Sequence, residues 1–352
     1  MKKKSISKRI AKSIVTIIIV IISILLLINI PIINLKHIAS SEDYSNWMSE
    51  TLDDEDKVVD IAMLGAHDTF TNNINLFSKL DPYESNGIMQ GLTGILVKGF
   101  IVKQSVTQIS SVETLLKSGV RYLDIRLTYY EDNWVTKHNY LSEDFSTPAD
   151  LVVQFLESNP GELLILDFQH LDGIDYSNVD DYDLFVDMLD IVGLLDYAYV
   201  VNDLSNVTYG DITNNGTEAK VLIISKFKMS EGNILNYNSS IRSNWANSDD
   251  FEYILDFINS ESKAAEEQDI NEKFRVMQAV TTMQMNGTGI IKALTSWSLI
   301  NRAKKFNDYL LNFEGFAEII TYLPIIMVDY ADTNTNDFND NIMDLIIDFN
   351  RN

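Results

Sequence analysis

The sequence predicts an α/β protein, a distorted TIM-like (β/α) barrel preceded by a transmembrane helix. Short apolar and β-branched runs alternate with longer segments of helical spacing, which is typical of parallel strands with helices outside the sheet. Seven or eight such units in about 300 residues fit one barrel better than two domains. Many runs end in polar or charged side chains, so we expect the functional site at the carboxyl ends of the strands.

The predicted strands and helices alternate along the chain. Strands are expected at 58–65, 120–127, 134–138, 162–169, 220–226, 275–281 and 324–330. Helices are expected at 106–118, 148–158, 181–192, 249–261, 296–312 and 336–349. Thr147 followed by Pro148 is typical of a helix start, because threonine can cap the first turn and proline fits the first helical position.

The amino terminus differs in composition from the rest of the chain. Six basic residues precede an apolar run at 14–35: Lys2, Lys3, Lys4, Lys8, Arg9 and Lys12. About twenty apolar residues cross a bilayer as a helix, and basic residues before the span favour a cytoplasmic amino terminus. We therefore predict a basic head at 1–13, an anchor at 14–35, a stalk at 36–57 and an extracytoplasmic domain at 58–352. A cleaved signal peptide, which would release the domain, is the alternative.

The chain is strongly acidic and contains no cysteine. It has 51 Asp and Glu residues against 27 Lys and Arg residues, a net charge of −24 at pH 7. This charge argues against nucleic acid as a partner, because phosphate binding needs a basic surface. It also disfavours strong adhesion to an anionic membrane. The absence of cysteine excludes disulfides and thiolate metal sites.

The segment 87–102 is apolar, interrupted by glycines and almost uncharged. It follows the first predicted strand, so it is expected on the rim where a barrel keeps its active site. Two interpretations remain open for it. It is either an irregular element packed on the core, or a lid or membrane-contacting segment whose apolar side chains would offset the unfavourable charge.

Two of the four histidines, His67 and His138, stand at the ends of predicted strands. Because imidazoles titrate near neutral pH, such a pair can act as general base and general acid, each oriented by a carboxylate. The candidates for these orienting carboxylates are three aspartates at predicted strand ends, Asp68, Asp124 and Asp329. Arg126 lies two residues after Asp124, on the same strand face, and could bind a phosphate oxygen. Two histidines and an arginine together favour phosphodiester cleavage.

These motifs resemble those of the phosphatidylinositol-specific phospholipase C X-domain family, especially its bacterial and X-domain-only members. Gly65-Ala66-His67-Asp68-Thr69 is similar to the Gly-(Ser/Thr)-His-Asp-Ser motif that opens the family. Residues 119–126 resemble its second-strand signature, and residues 159–170 resemble the fourth-strand signature of the X-domain-only group. With weaker similarity elsewhere, the resemblance covers about 58–332 and implies the barrel fold and phospholipase C activity.

The resemblance also implies residue roles. His67 would be the general base that deprotonates the inositol 2-hydroxyl group, with Asp329 orienting it. His138 would be the general acid that protonates the diacylglycerol oxygen, supported by Asp68.

Arg126 would stabilise the phosphate, with Asp124 beside it. Calcium-dependent members have an acidic residue at the position of Arg126 and an asparagine at the position of Asp68. The sequence therefore follows the metal-free pattern, and we expect neither a metal nor another cofactor.

Substrate contacts are expected from Lys226, Gln169 and Trp245, of which Lys226 lies at a position where bacterial members bind the inositol ring. Lys226 replaces an arginine, Gln169 could equally be an ordinary polar strand end, and Trp245 could serve packing. Asn139 stands where the family usually has glycine after the second histidine. His170 is expected to be structural.

The sequence thus predicts a metal-independent phospholipase C-like phosphodiesterase that acts on phosphatidylinositol or a related glycerophospholipid. The products would be diacylglycerol and a cyclic or open phosphorylated headgroup. One alternative is a glycerophosphodiester phosphodiesterase-like hydrolase, although that chemistry normally needs metal ligands and Arg126 argues against them. The other is a catalytically idle surface protein that binds phospholipid or a partner.

Overall fold

The computed structural model of the protein covers most of the chain. It describes residues 2–29, 37–85, 87, 89–229, 233–268, 270–284, 286–296 and 298–351. The end of the predicted anchor and the first predicted stalk residue fall within 30–36, outside these ranges. Ile88, in the predicted rim segment, also lies outside them.

One curled sheet of mainly parallel strands organises the molecule. Its strands are β1 (Met63–Ala66), β2 (Val120–Tyr130), β3 (Asn133–His138), β4 (Tyr140–Asp144), β5 (Leu163–Asp172), β6 (Lys220–Ser225), β7 (Ile234–Asn236), β8 (Ile241–Asn244), β9 (Phe274–Ala279) and β10 (Ile325–Val328). Eight of them are parallel, in the order β7-β6-β5-β2-β1-β10-β9-β8. Among the described residues β7 and β8 do not pair, so the barrel is open between them.

Thirteen α-helices accompany the sheet in the described part of the chain. They are α1 (Lys2–Ile28), α2 (Trp47–Thr51), α3 (Gly91–Ser105), α4 (Val112–Lys117), α5 (Ser146–Ser158), α6 (Val179–Ile191), α7 (Tyr209–Thr213), α8 (Tyr237–Ser240), α9 (Phe251–Glu267), α10 (Gly287–Ser296), α11 (Leu299–Leu311), α12 (Phe316–Tyr322) and α13 (Phe338–Asn350). Short 3-10 helices lie at Leu194–Tyr197 and Thr335–Asp337. The four residues of α8 join β7 to β8, which keeps the two open edges of the sheet close together.

The predicted strand at 134–138 exists, but it is not parallel. β3 pairs antiparallel with β2, with Leu127 opposite Thr136, and then with β4. A two-residue turn at Glu131 and Asp132, both with positive φ, joins β2 to β3. His138 therefore returns to the sheet on a hairpin and does not end a parallel strand.

Several predicted boundaries differ from the structure. The first strand is expected at 58–65, but residues 57–60 form a turn and β1 begins only at Met63. Within 106–118, where one helix is expected, only α4 is helical. It begins after Ser111, whose backbone is extended and whose side chain caps the helix. The helix expected at 296–312 begins only at Leu299, after the end of α10.

The rim segment 87–102, for which an irregular element or a lid is considered above, is mostly helical. α3 begins at Gly91 and is apolar on most sides. Phe100, Ile101 and Val102 are buried in a small cluster beside the main core. Ile95, in contrast, is 71% exposed. Tertiary packing of one side thus stabilises a helix that its glycines alone would disfavour.

The predicted stalk at 36–57 does not hang free of the barrel in its described part. Trp47 and Met48 are buried in the main core. The indole of Trp47 donates to the carbonyl oxygen of Gly119, and the backbone of Ser49 donates to Glu162. The two apolar side chains attach this segment to the amino ends of β2 and β5, since burying them is favourable.

α1 is exposed along the span Ile10–Leu27, an 18-residue window with a mean hydropathy of 2.9. A helix of this length and composition can cross a membrane, and a signal sequence has the same properties. α1 is therefore a candidate membrane span.

Candidate active site

A cavity of about 710 Å³ opens at the carboxyl ends of the parallel strands. Its polar end is lined by His67, Arg126, His138, Gln169, His170, Lys226, Tyr237, Ser243, Trp245, Gln278 and Asp329. An apolar wall is formed by Met89, Val97, Phe100, Ile101, Met283 and Leu299. A cavity that joins a charged end to an apolar wall suits an amphiphilic ligand.

His67 and Asp329 meet because of the register of two neighbouring strands. Ala66 in β1 lies opposite Val328 in β10, so the residues that follow each strand are adjacent. Nδ1 of His67 lies 2.7 Å from Oδ1 of Asp329. Burial would lower the pKa of His67, but the carboxylates of Asp68 and Asp329 outweigh it and raise the pKa to about 9.

Asp68 is buried and connects three charged or titratable groups. Its Oδ1 forms an ion pair with Nε of Arg126. Its Oδ2 lies 3.2 Å from Nδ1 of His138 and 3.4 Å from Nε2 of His67. Burial would raise the pKa of Asp68, but Arg126 and His138 hold it well below the usual range. Asp68 is therefore a carboxylate at neutral pH.

Arg126 projects from β2 into the cavity beside two carboxylates. Its Nη2 lies 3.2 Å from Nε2 of His67 and 3.7 Å from Oδ2 of Asp124. Burial would lower the pKa of Arg126, but Asp68 and Asp124 raise it. The pairing of β2 with β5 is irregular between Asp124 and Arg126. Arg126 places a permanent positive charge next to His67.

Asp124 is fully buried, and its carboxylate binds other groups of the protein. Its Oδ1 accepts a hydrogen bond from Nε2 of Gln169 at 3.0 Å, and its Oδ2 accepts from the backbone N–H of Asp68 at 3.1 Å. These bonds fix the backbone that carries Asp68 and the amide of Gln169.

His138 is held by a backbone carbonyl as well as by a carboxylate. Its Nδ1 lies 2.8 Å from the carbonyl oxygen of Ser105, at the end of α3. Nδ1 therefore carries the proton, and Nε2 is the nitrogen available to a substrate. The rings of His67 and His138 are 6.2 Å apart between centroids. Burial lowers the pKa of His138, although the charge of Asp68 opposes this.

The backbone conformation at position 139 explains why Asn139 can stand where the family usually has glycine. Its φ is +60°, in the left-handed region that glycine adopts freely and asparagine tolerates. Its Nδ2 donates to Oγ of Ser105 at 2.9 Å. The position thus keeps the required turn and adds a bond to the residue that holds His138.

The three expected substrate-contacting residues all line the cavity. Nζ of Lys226 lies 4.9 Å from the ring centroid of Tyr237. Gln169 is nearly buried, and its amide group is engaged by Asp124. Trp245 is 49% exposed. His170, expected to be structural, lines the cavity as well.

Several cavity residues were not identified from the sequence. Arg302, on α11, donates to Oε1 of Gln104 at 3.0 Å, and both line the cavity. Arg302 lies within a regular helical pattern, so no sequence signal marked its position in the site. Asp167, in the fourth-strand motif, is buried beside the site and does not line the cavity; it accepts a hydrogen bond from the hydroxyl of Tyr122, and burial raises its pKa to about 8.

Three side chains could in principle hold a cation. Ligand atoms of His67, Asp68 and Asp124 all lie within 4.8 Å of one another. The guanidinium of Arg126 contacts all three of these residues. A divalent cation would fit this group only if the guanidinium moved away, because both positive charges would compete for the same oxygens.

Several curated proteins that resemble the chain are described as PI-PLC X-domain proteins. A PI-PLC X-box domain-containing protein of Dictyostelium discoideum is 24% identical over 319 residues, which are 82% of this chain and 39% of that protein. The variant-surface-glycoprotein phospholipase C of Trypanosoma brucei brucei is 30% identical over 151 residues, 38% of this chain and 41% of that protein. The chain matches about two-fifths of the length of these relatives. No family model matches it.

Solved bacterial structures share the fold. The phosphatidylinositol-specific phospholipase C of Listeria monocytogenes has a TM-score of 0.59 at 19% identity, covering 87% of this chain and 98% of that one. The F249X mutant of the Staphylococcus aureus enzyme has a TM-score of 0.58 at 17% identity, covering 89% and 99%. At these identities the structures show the fold, and the curated relatives add the domain type. Together these similarities support assignment of the chain to the phosphatidylinositol-specific phospholipase C X-domain family.

Proposed function

We propose that the protein is a phospholipase C-like enzyme that cleaves phosphatidylinositol or a related glycerophospholipid by general acid–base catalysis. The observation that carries this proposal is the position of two histidines and one arginine at the polar end of a single cavity. Each histidine contacts its own carboxylate, Asp329 for His67 and Asp68 for His138. This arrangement suits removal of a proton from the attacking hydroxyl on one side of the phosphate and delivery of a proton to the leaving oxygen on the other.

In the proposed reaction the phosphodiester lies between the two imidazoles, with an oxygen on Arg126. His67 takes the proton of the headgroup 2-hydroxyl through Nε2 as that oxygen attacks phosphorus. His138 gives a proton from Nε2 to the glycerol oxygen as its bond to phosphorus breaks. The products are a cyclic phosphorylated headgroup and diacylglycerol. If the headgroup lacks a suitably placed hydroxyl, water attacks and the phosphate product is open.

The two pKa values define the reactive protonation state. Between the lowered pKa of His138 and the pKa of about 9 for His67, the pair carries one proton more than two neutral imidazoles. The reaction needs that proton on His138, whereas the free site favours it on His67. The guanidinium of Arg126 beside Nε2 of His67 favours the reactive distribution, because its positive charge lowers the pKa of His67.

We further propose that the reaction needs no metal. Arg126 already supplies a positive charge beside Asp68 and Asp124. A guanidinium can bind two phosphate oxygens at once and stabilise the charge that develops on them. It would therefore take the place that a cation occupies elsewhere.

Membrane attachment completes the proposal. α1 would anchor the protein, and the basic residues before the span favour an amino terminus in the cytoplasm and a catalytic domain outside it. A signal peptide that is cleaved would instead release the domain. The exposed Ile95 of α3 suits contact with lipid.

The test uses the full chain in mixed micelles of a non-ionic detergent and phosphatidylinositol. Phosphorus NMR should show a cyclic phosphate product, with and without EDTA, and His67→Ala should abolish it. No product from the wild type would overturn the enzymatic proposal. A product that disappears with EDTA would overturn metal independence, and an open phosphate as the first product would indicate attack by water.

A further inference from the structure

The end of α1 is fixed to the wall of the cavity. The side chain of Asn29 donates to the carbonyl oxygen of Leu96 at 2.8 Å and accepts from the backbone N–H of Gly99 at 2.7 Å. One amide thus binds the backbone of α3 as both donor and acceptor. A Cβ at Gly99 would lie 2.6 Å from the carbonyl oxygen of Asn29, so only glycine allows this approach.

α3 has two functions in this arrangement. Val97, Phe100 and Ile101 line the cavity. Ile95 and Leu96, at the attachment itself, are 71% and 46% exposed. The helix that forms the cavity wall therefore also presents apolar side chains at the level where the candidate membrane span ends.

A second attachment follows at residues 37–40. Nε2 of His37 lies 2.9 Å from Oδ2 of Asp332, which also accepts from the hydroxyl of Ser110 at 2.5 Å. Ala39 pairs antiparallel with Thr333. Asp332 comes three residues after Asp329, so this contact lies at the carboxyl edge of the sheet, like the cavity. The chain from residue 29 to residue 37 advances by eight residues and can span at most roughly 28 Å, so the two attachments lie no farther apart than this.

Only after these two contacts does the chain continue to the opposite edge of the sheet. The backbone of Tyr44 donates to Lys117, and the indole of Trp47 donates to Gly119, both before β2 begins. The candidate membrane span therefore leaves the barrel on the face that carries the cavity, and not from the base of the barrel.

From this course of the chain we infer that the protein acts on lipids of the membrane that contains α1, with the mouth of the cavity held against that bilayer. The inference rests on the proposed function and adds the location of the substrate. Asn29 and His37 fix the orientation, while Ile95, Leu96 and Trp245 contact the lipid surface. Attachment through α1 also compensates for the acidic charge of the chain, which disfavours binding to the membrane from solution. An attached protein meets the lipid at a high local concentration and does not need to bind from solution.

The test compares two sets of vesicles. The full chain is reconstituted into vesicles that contain phosphatidylinositol with one headgroup label. These are mixed with protein-free vesicles whose phosphatidylinositol carries a second label. We expect the first label to be released at least tenfold faster than the second, at a rate per protein that vesicle dilution does not change. Equal release of both labels would overturn the inference.

Two variants test the attachment itself. Asn29→Ala removes the amide that binds α3, and Gly99→Ala separates α1 from α3 without altering a cavity-lining side chain. Both should reduce the preference for the protein's own vesicles severalfold while activity in mixed micelles stays unchanged. Gly287→Ala is the matched control, since a Cβ there meets nothing within 4 Å.

The possible failures are distinguishable. No cleavage by the wild type in mixed micelles would contradict the proposed function. Cleavage in micelles together with an unchanged vesicle preference in Asn29→Ala and Gly99→Ala would contradict the inference alone.

Discussion

Nδ1 of His67 lies 2.7 Å from Oδ1 of Asp329, although 262 positions separate the two residues in the chain. Asp68, the immediate neighbour of His67 in sequence, lies 3.4 Å from Nε2 of His67 and closer to Arg126 and His138. The turn after β1, with a positive φ at Asp68, directs the two side chains to different partners. His67 and Asp68, adjacent in sequence, thereby belong to two different histidine–carboxylate pairs, His67 with Asp329 and His138 with Asp68.

Asp329→Asn should shift the alkaline limb of the pH profile to lower pH. The limb reflects loss of the imidazolium proton from the histidine pair, at the raised pKa of about 9 for His67. The substitution removes one of the negative charges that raise this pKa, so the proton leaves at lower pH. We also expect kcat to fall by roughly 10²-fold, because the imidazole loses its orienting carboxylate. The measurement is kcat/KM against pH in mixed micelles.

An NMR titration of the histidine ring protons provides the control for this prediction. The His67 resonance should titrate at a lower pH in the variant, whereas His138 should change little. If the kinetic limb stays in place while the His67 resonance moves, another group controls the rate.

The arrangement of the parallel strands could be predicted from local sequence. Runs such as residues 163–166 are apolar on both faces, as expected for strands covered on both sides, and the polar residues after them lie at one edge. The β2–β3 hairpin could not be predicted in this way. Its turn consists of Glu131 and Asp132, with positive φ and no glycine, so the usual hairpin signal is missing.

The six candidate residues of the site are brought together, but some of their partners are invisible in the sequence. The carbonyl oxygen of Ser105 holds His138, and a backbone contact cannot be read from side-chain identity. α3 itself could not be predicted as a helix, because its stability comes from packing against the barrel. Arg302 reaches the cavity from a helix whose spacing predicts only a buried face.

Arg126→Lys should reduce activity by roughly 10²-fold or more without creating a metal requirement. A lysine ammonium is a compact charge without the planar fork of a guanidinium, which contacts Asp68 through Nε and points Nη2 towards His67. The measurement is product formation from phosphatidylinositol micelles in EDTA and in calcium. Full activity of the variant would show that a bidentate cation is unnecessary, and stimulation of the wild type by calcium would contradict metal independence.

Asn139→Gly and Asn139→Ala should behave differently. Both lose the hydrogen bond to Ser105, but only alanine must adopt the left-handed φ of +60° with an unfavourable Cβ. Relative to glycine, alanine should lower the free energy of unfolding by about 1 kcal/mol and reduce kcat severalfold, because His138 precedes the strained position. Urea unfolding and micelle kinetics of the two variants test this. Equal stability and activity would mean that the turn does not constrain His138.

Arg121→Met should destabilise the protein severely without affecting the site directly. Nε and Nη2 of Arg121 lie 2.7 and 2.6 Å from Oε2 of Glu162, and both side chains are completely buried. Removing the guanidinium leaves a buried carboxylate unpaired, which costs about 3–5 kcal/mol. Arg121 also donates to the carbonyl oxygens of Tyr44 and Ser45, so their attachment to the barrel should loosen.

Urea unfolding measures the loss of stability in Arg121→Met. The double variant Arg121→Met/Glu162→Gln should recover part of that loss, because no unpaired charge remains. Neither residue lines the cavity, so activity per folded molecule should persist. A loss below about 1 kcal/mol, or no recovery in the double variant, would show that the ion pair does not stabilise this edge of the barrel.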